Sequence, residues 1–123
     1  MNYLLVFVGG GIGAMGRYYL SGAVYRWLPS DFPYGNLVVN ILGCFAIGIL
    51  MTAMEERFLV TPGLRLFLTI GILGGFTTFS SFSFETISLF QNGEILFGSM
   101  NAAASLVGCL LATVLGIVIG KLF

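Results

Sequence analysis

Gly74-Gly75-Phe76-Thr77-Thr78-Phe79-Ser80-Ser81-Phe82-Ser83 sits in the middle of an apolar stretch that spans roughly residues 63–90. From Thr77 to Ser83 every residue is a hydroxyl or a phenylalanine, with five hydroxyls and two Phe in seven positions. A lone Ser or Thr in an apolar helix bonds the carbonyl four residues back and signifies little. An unpaired polar group in hydrocarbon is costly, so this density marks a place where polarity has a use. The glycine pair ahead of it predicts a helix break at Gly74-Gly75. Inside a membrane, such a break is tolerated only where the freed carbonyls are buried in protein or bind something. Phe79 and Phe82, three apart, share one face of the helix that follows, with Thr78 and Ser81 on the adjoining face.

Working outward, three more windows have the roughly 20 apolar residues needed to cross a hydrocarbon core of about 30 Å. They cover residues 3–25, interrupted only by Arg17, residues 35–54, with no charge, and residues 96–122, uncharged until Lys121. Short polar connections separate them: Pro29, Ser30, Asp31 and Pro33 in the first, Glu55-Glu56-Arg57 in the second, and the turn Gln91-Asn92-Gly93-Glu94 in the third. The fold class is therefore an all-α membrane protein: one domain over residues 1–123, four transmembrane helices, the third broken near its middle. The N-terminal segment lacks a charged leader and meets Arg17 where a cleavage site would fall, so it reads as a retained span.

Composition agrees. The 123 residues are 58% hydrophobic and 8% charged, against roughly a quarter charged in soluble domains. Five Lys+Arg balance five Asp+Glu, so no basic surface exists for nucleic acid. The absence of His removes the commonest general base and metal ligand together. No nucleophile–base pair or cofactor fingerprint appears, which argues against an enzyme. Cys44 and Cys109 lie in apolar stretches and read as small hydrophobes, neither a disulfide nor a redox motif. With both termini on one side, Arg57, Arg65 and Lys121 oppose Arg26, a bias small enough to permit insertion in either orientation.

Helices in lipid associate by close backbone approach and hydrogen bonds, so small residues should form stripes. Ala104, Gly108, Ala112, Gly116 and Gly120 make one in the last span, and Gly9, Gly13 and Gly16 another in the first. Four short helices enclose little interior, and a polar path through them calls for a second copy: a homodimer is expected.

The remaining polar residues are few. Asn40, the amide at the centre of the second span, is either glue between helices or a source of two N–H donors for an anion. Asn101 and Ser105 extend a polar track in the last span, although Ser105 fits equally well as a packing residue. Arg17 either snorkels to the interface or sets a positive potential at a vestibule. Glu85 is the carboxylate on which proton coupling would depend. A line of Phe ring edges beside hydroxyls attracts an anion without a charge that would hold it too tightly, and weak repeated sites favour conduction.

On these residues the chain resembles the small bacterial fluoride channels, the Fluc or CrcB-type family, over its whole length. The carriers are the glycine-rich Gly9-Gly10-Gly11-Ile12-Gly13-Ala14-Met15-Gly16-Arg17-Tyr18, Val39-Asn40-Ile41-Leu42-Gly43, and the segment from Gly74 to Ser83 followed by Glu85. The resemblance implies an antiparallel, dual-topology homodimer in the bacterial inner membrane, with two fluoride pathways and a structural sodium ion. It implies ring-edge contacts to fluoride from Phe79 and Phe82, an amide donor in Asn40, a polar track of Thr78, Ser81 and Ser105, and a vestibule lined by Arg17. The main-chain carbonyls of Gly74 and Thr77 from two subunits would hold the sodium. The chain departs from the family at Gly35-Asn36, where Gly-Thr is usual. The competing expectation is a proton-coupled four-helix exporter of drugs or cations built around Glu85. Such exporters carry their carboxylate in the first span, which here has none. A scaffold subunit would account for the small-residue stripes but not for the segment from Thr77 to Ser83.

Overall fold

A computed structural model describes residues 1–56 and 60–122. Arg57, weighed above for orientation, lies outside the described residues. The chain is helical: α1 (Asn2–Val24), α2 (Tyr34–Glu56), α3 (Pro62–Leu66), a π-helical stretch (Phe67–Leu73), α4 (Gly74–Phe76), α5 (Phe79–Gln91) and α6 (Ile95–Leu122). α3, the π-helical stretch, α4 and α5 follow one another as a single interrupted rod, so the architecture is four long helical rods. The expected spans agree with these rods to within two residues at each end. Three of them, Tyr34–Glu56, Pro62–Gln91 and Ile95–Leu122, are long and apolar enough to cross a membrane. α1 has the length, 23 residues, but its glycines, tyrosines and Arg17 dilute its hydropathy.

Local chemistry sets the ends. Thr61 caps α3, its hydroxyl accepting from Leu64 N at 3.1 Å, and Pro62 stands where a missing N–H costs nothing. α5 stops in a two-bond C-terminal motif, Gly93 N to Phe90 O at 3.1 Å and Glu94 N to Leu89 O at 2.8 Å. Gly93 supplies the φ of +82° that this turn requires.

Two glycine seams hold the rods together. In the first, α1 lies on the π-helical stretch and α4: a methyl on Gly9 would stand 2.8 Å from Phe67 O, and one on Gly13 2.8 Å from Phe76 N. In the second, α2 lies along α6, where a methyl on Gly48 would stand 3.1 Å from Gly116 Cα and one on Gly120 2.9 Å from Thr52 Cβ. The α6 stripe differs from expectation at one end: Ala104 is exposed, and Asn101 and Ser105 are buried in its place. Four residues advance about 400° around a helix, so strict four-residue spacing drifts about 40° per step and leaves the contact face.

The break also lies elsewhere than expected. Gly74 keeps helical angles (φ −63°, ψ −38°), and the extended residues are Thr77 (φ −86°, ψ 154°) and Thr78 (φ −147°, ψ 118°). Gly75 is a glycine because a methyl there would collide with Gly10, its Cα 3.0 Å away. Gly75 serves the α1 seam, and the break is made two residues later by side chains.

A candidate anion path around the helix break

Thr78 is the pivot. In an unbroken helix its N–H would bond Gly74 O; here it donates to Asn40 Oδ1 at 2.8 Å, while Asn40 Nδ2 donates to Thr78 O at 3.0 Å. Asn40 thus clasps the backbone N–H and C=O of one residue as a neighbouring strand would. Both readings of this residue keep a place, because the clasp uses one of its two N–H donors and Asn40 also lines a groove. On the far side of the break the Thr78 hydroxyl caps α5, accepting from Ser81 N at 3.3 Å and donating to Ser81 Oγ at 3.2 Å. On the near side Thr77 turns both its N–H and its hydroxyl back to Leu73 O, each at 3.1 Å.

Arg17 belongs to the same construction. Its Nε donates to Gly75 O at 3.2 Å, setting a guanidinium at the carbonyl end of α4, where a cation is favoured.

Two cavities flank the break. The first, about 620 Å³, is an apolar groove bounded by α2, the interrupted rod and α6. Asn40, Gly74, Thr77, Thr78, Phe79, Phe82 and Ser105 all line it. The Phe79 and Phe82 rings lie 5.3 Å apart at 49°, tilted so that edges as well as faces are presented. Ser105, 8% exposed, is the hydroxyl that α6 contributes. The second cavity, about 580 Å³, is the more polar of the two and is lined by Arg17, Asn36, Ser81, Tyr25 and Arg26 among others. Ser81 therefore belongs to the polar cavity and not to the groove. Its hydrogen bond to Thr78 joins the two.

Two residues differ from the sequence reading. Asn101 does not extend the track: it is 2% exposed and donates to Thr86 Oγ1 at 2.9 Å, which in turn donates to Phe82 O at 2.8 Å. This relay ties α6 to α5 directly behind Phe82. Asn36 has a clear task, since its Nδ2 donates to Glu85 Oε1 at 3.0 Å. Asn36 is one helical turn before Asn40, and that spacing was the available signal; the partner, 49 residues away, was not readable.

The main-chain carbonyls of Gly74 and Thr77 are oxygen donors of the kind a hard cation prefers. Both residues line the groove. The amide that would close a helical bond on Gly74 O is held by Asn40, and Thr77 is extended, so its carbonyl points out of the helical ladder.

Comparison with known proteins agrees with this picture. Residues 4–117 match the family model described as CrcB-like protein, Camphor Resistance (CrcB). The chain is 50% identical over 119 residues to a protein of Geotalea uraniireducens named fluoride-specific ion channel FluC, covering 97% of this chain and 94% of that one. Proteins of the same name from Hydrogenovibrio crunogenus and Magnetococcus marinus are 47% identical over 123 residues and 45% identical over 122 residues. These alignments cover 100% and 99% of this chain and 93% and 99% of the respective relatives. A chain matched over nearly its whole length, with helices built for a bilayer, is a membrane protein, and it belongs to the CrcB family.

Proposed function

We propose that this chain is a passive, fluoride-selective channel that lets cytoplasmic fluoride leave the cell. The observation that carries the reading is the clasped break. It brings the Phe79–Phe82 pair, an amide, and the Thr78 and Ser105 hydroxyls to one groove lined, among the described residues, by no charged side chain, in a chain whose relatives are named fluoride-specific ion channels. Small, strongly hydrated fluoride needs hydrogen-bond donors to replace its water, and ring edges and neutral donors supply them without trapping the ion. Hydrogen fluoride crosses lipid as a neutral acid and dissociates inside. A membrane potential, worth about 2.3 kcal/mol per charge per 100 mV, then drives the anion out with no further coupling.

The groove is open on one side and α1 is the least apolar rod, so the functional unit is a homodimer of four-span subunits in the bacterial inner membrane. In it the grooves of two copies are closed against lipid. The Lys/Arg bias is small enough to permit an antiparallel pair. Two subunits related by a two-fold axis offer four carbonyls, Gly74 and Thr77 from each, and these would hold a structural sodium. Phe79, Phe82, Asn40, Thr78 and Ser105 form the fluoride contacts, Ser81 carries the track through to the polar cavity, and Arg17 makes that cavity an anion vestibule. The exporter alternative has nothing comparable behind it: its carboxylate, Glu85, is engaged by Asn36.

The test is efflux from liposomes holding the purified protein, with valinomycin present and no pH gradient. Rapid release of fluoride with negligible release of chloride is expected. Release only under an imposed pH gradient would replace the channel with a carrier.

A further inference from the structure

Cys44 and Cys109 are both free thiols, one on α2 and one on α6, and both line the apolar groove. They adjoin each other. The Thr113 hydroxyl reaches the backbone carbonyls of both, Cys44 O at 3.2 Å and Cys109 O at 3.0 Å, which sets the two cysteines side by side on the neighbouring helices. Gly48, one turn beyond Cys44, and Gly116, about two turns beyond Cys109, bring the two backbones together further along. Two thiols on separate helices, lining one cavity with their backbones joined through one hydroxyl, form a pair of soft ligands on the same wall.

The composition of the pair selects the ion. No group of three or more His, Cys, Asp or Glu gathers among the described residues, so a tetrahedral site for zinc cannot be completed. Thiolates favour soft cations, and a coordinated thiol gives up its proton outright. A monovalent soft ion held by two thiolates would carry a net negative charge in an apolar groove, at high cost. A divalent ion that accepts two ligands leaves a neutral complex: two thiols bind one M²⁺ and release two protons. From this geometry we infer that Cys44 and Cys109 form a two-coordinate bis-thiolate site for a soft divalent d¹⁰ cation, of which mercury(II) is the representative. Bound there, the ion ties α2 to α6 in the wall of the groove. The site needs only one chain and stands whether or not the groove conducts fluoride.

The test is intact-mass measurement of the purified full chain under non-denaturing conditions after titration with mercuric acetate and a wash with excess monothiol. The expected result is a gain of one mercury less two hydrogens per chain that survives the wash. Cys44→Ser and Cys109→Ser should each lose the metal in the wash, with circular dichroism confirming that they are folded. Two mercury ions per chain, a gain of one mercury less a single hydrogen, or a Cys109→Ser chain that retains its metal would each overturn the bis-thiolate site. The wild-type mass decides the matter by itself if either variant fails to fold.

Discussion

Replacing Asn40 with leucine tests the clasp, because Leu keeps the volume and removes both hydrogen bonds to Thr78. Two outcomes compete at that peptide. If the break persists, Thr78 N–H and C=O lose the partners that now lie at 2.8 and 3.0 Å. A buried, unsatisfied backbone group costs about 1–3 kcal/mol, so the pair costs about 2–6 kcal/mol, toward the low end because the peptide borders a groove. If the break heals, Thr78 N–H returns to Gly74 O and the rod runs on as helix. Two residues rising about 3.3 Å each then rise about 1.5 Å each, which draws Phe79 and everything after it along the axis by roughly 3.6 Å. The Asn101–Thr86–Phe82 relay would have to break to allow that shift. In the second case the Phe pair leaves its register with Ser105; in the first it stands on a break whose backbone groups have lost their partners.

Asn40→Asp separates the two bonds: it keeps an acceptor for Thr78 N–H and sets an oxygen against Thr78 O. Reversible unfolding in detergent should rank the proteins wild type, then Asn40→Asp, then Asn40→Leu. The aspartate should cost about 1–3 kcal/mol and the leucine clearly more. Fluoride efflux from liposomes should fall by about tenfold or more in both, about 1.4 kcal/mol of barrier or more. The aspartate loses efflux despite its better fold because it offers an anion a carboxylate. An Asn40→Leu protein that unfolds like wild type and conducts like wild type would refute the clasp and the register it enforces.

Three further outcomes follow from the same geometry. Phe82→Ile keeps an apolar side chain but removes the ring, and liposome efflux should show fluoride release lowered about tenfold or more; unchanged release would remove the ring-edge contact. Glu85→Gln keeps a partner for Asn36, so fluoride release without a pH gradient should persist; its complete loss, together with a new need for a gradient, would favour the exporter. Gly13→Ala should destabilise the protein by about 1–3 kcal/mol in thermal or denaturant unfolding, because its methyl would meet the backbone at Ile72 and Phe76. Gly11→Ala, with nothing within 4 Å of its methyl, should unfold like wild type, and equal losses at the two sites would dissolve the α1 seam.

The span limits were legible because a bilayer imposes a length and forbids unpaired backbone, so hydropathy and turn chemistry carry the information locally. The gathering of Phe79, Phe82, Thr78 and Asn40 was legible for a related reason: polarity inside hydrocarbon is conspicuous wherever it occurs. What escaped depends on partners distant in sequence. Gly74-Gly75 looks like a helix breaker until Gly10 is known to lie against Gly75. Asn101 looks like part of a track until Thr86 takes its amide. Asn36 looks like a bare departure from a motif until Glu85 is found beside it. In each case propensity or composition supplied the residue, and tertiary contact assigned the role.

The charges around the break fit the neutrality of the groove. α4 ends with its carbonyls toward the break, and Arg17 meets that negative end. α5 begins at the break with its N–H groups, and only a neutral hydroxyl, that of Thr78, caps it. The carboxylate of the same helix, Glu85, stands one turn beyond Ser81, with one oxygen occupied by Asn36. A carboxylate as cap would have satisfied the same amides and added favourable dipole energy, yet it would have put a fixed negative charge beside Phe79 and Phe82. The chain uses threonine at that position and holds its carboxylate aside with an amide. That division makes sense if an anion passes the start of α5, and it would serve no purpose in a scaffold whose break only had to be capped.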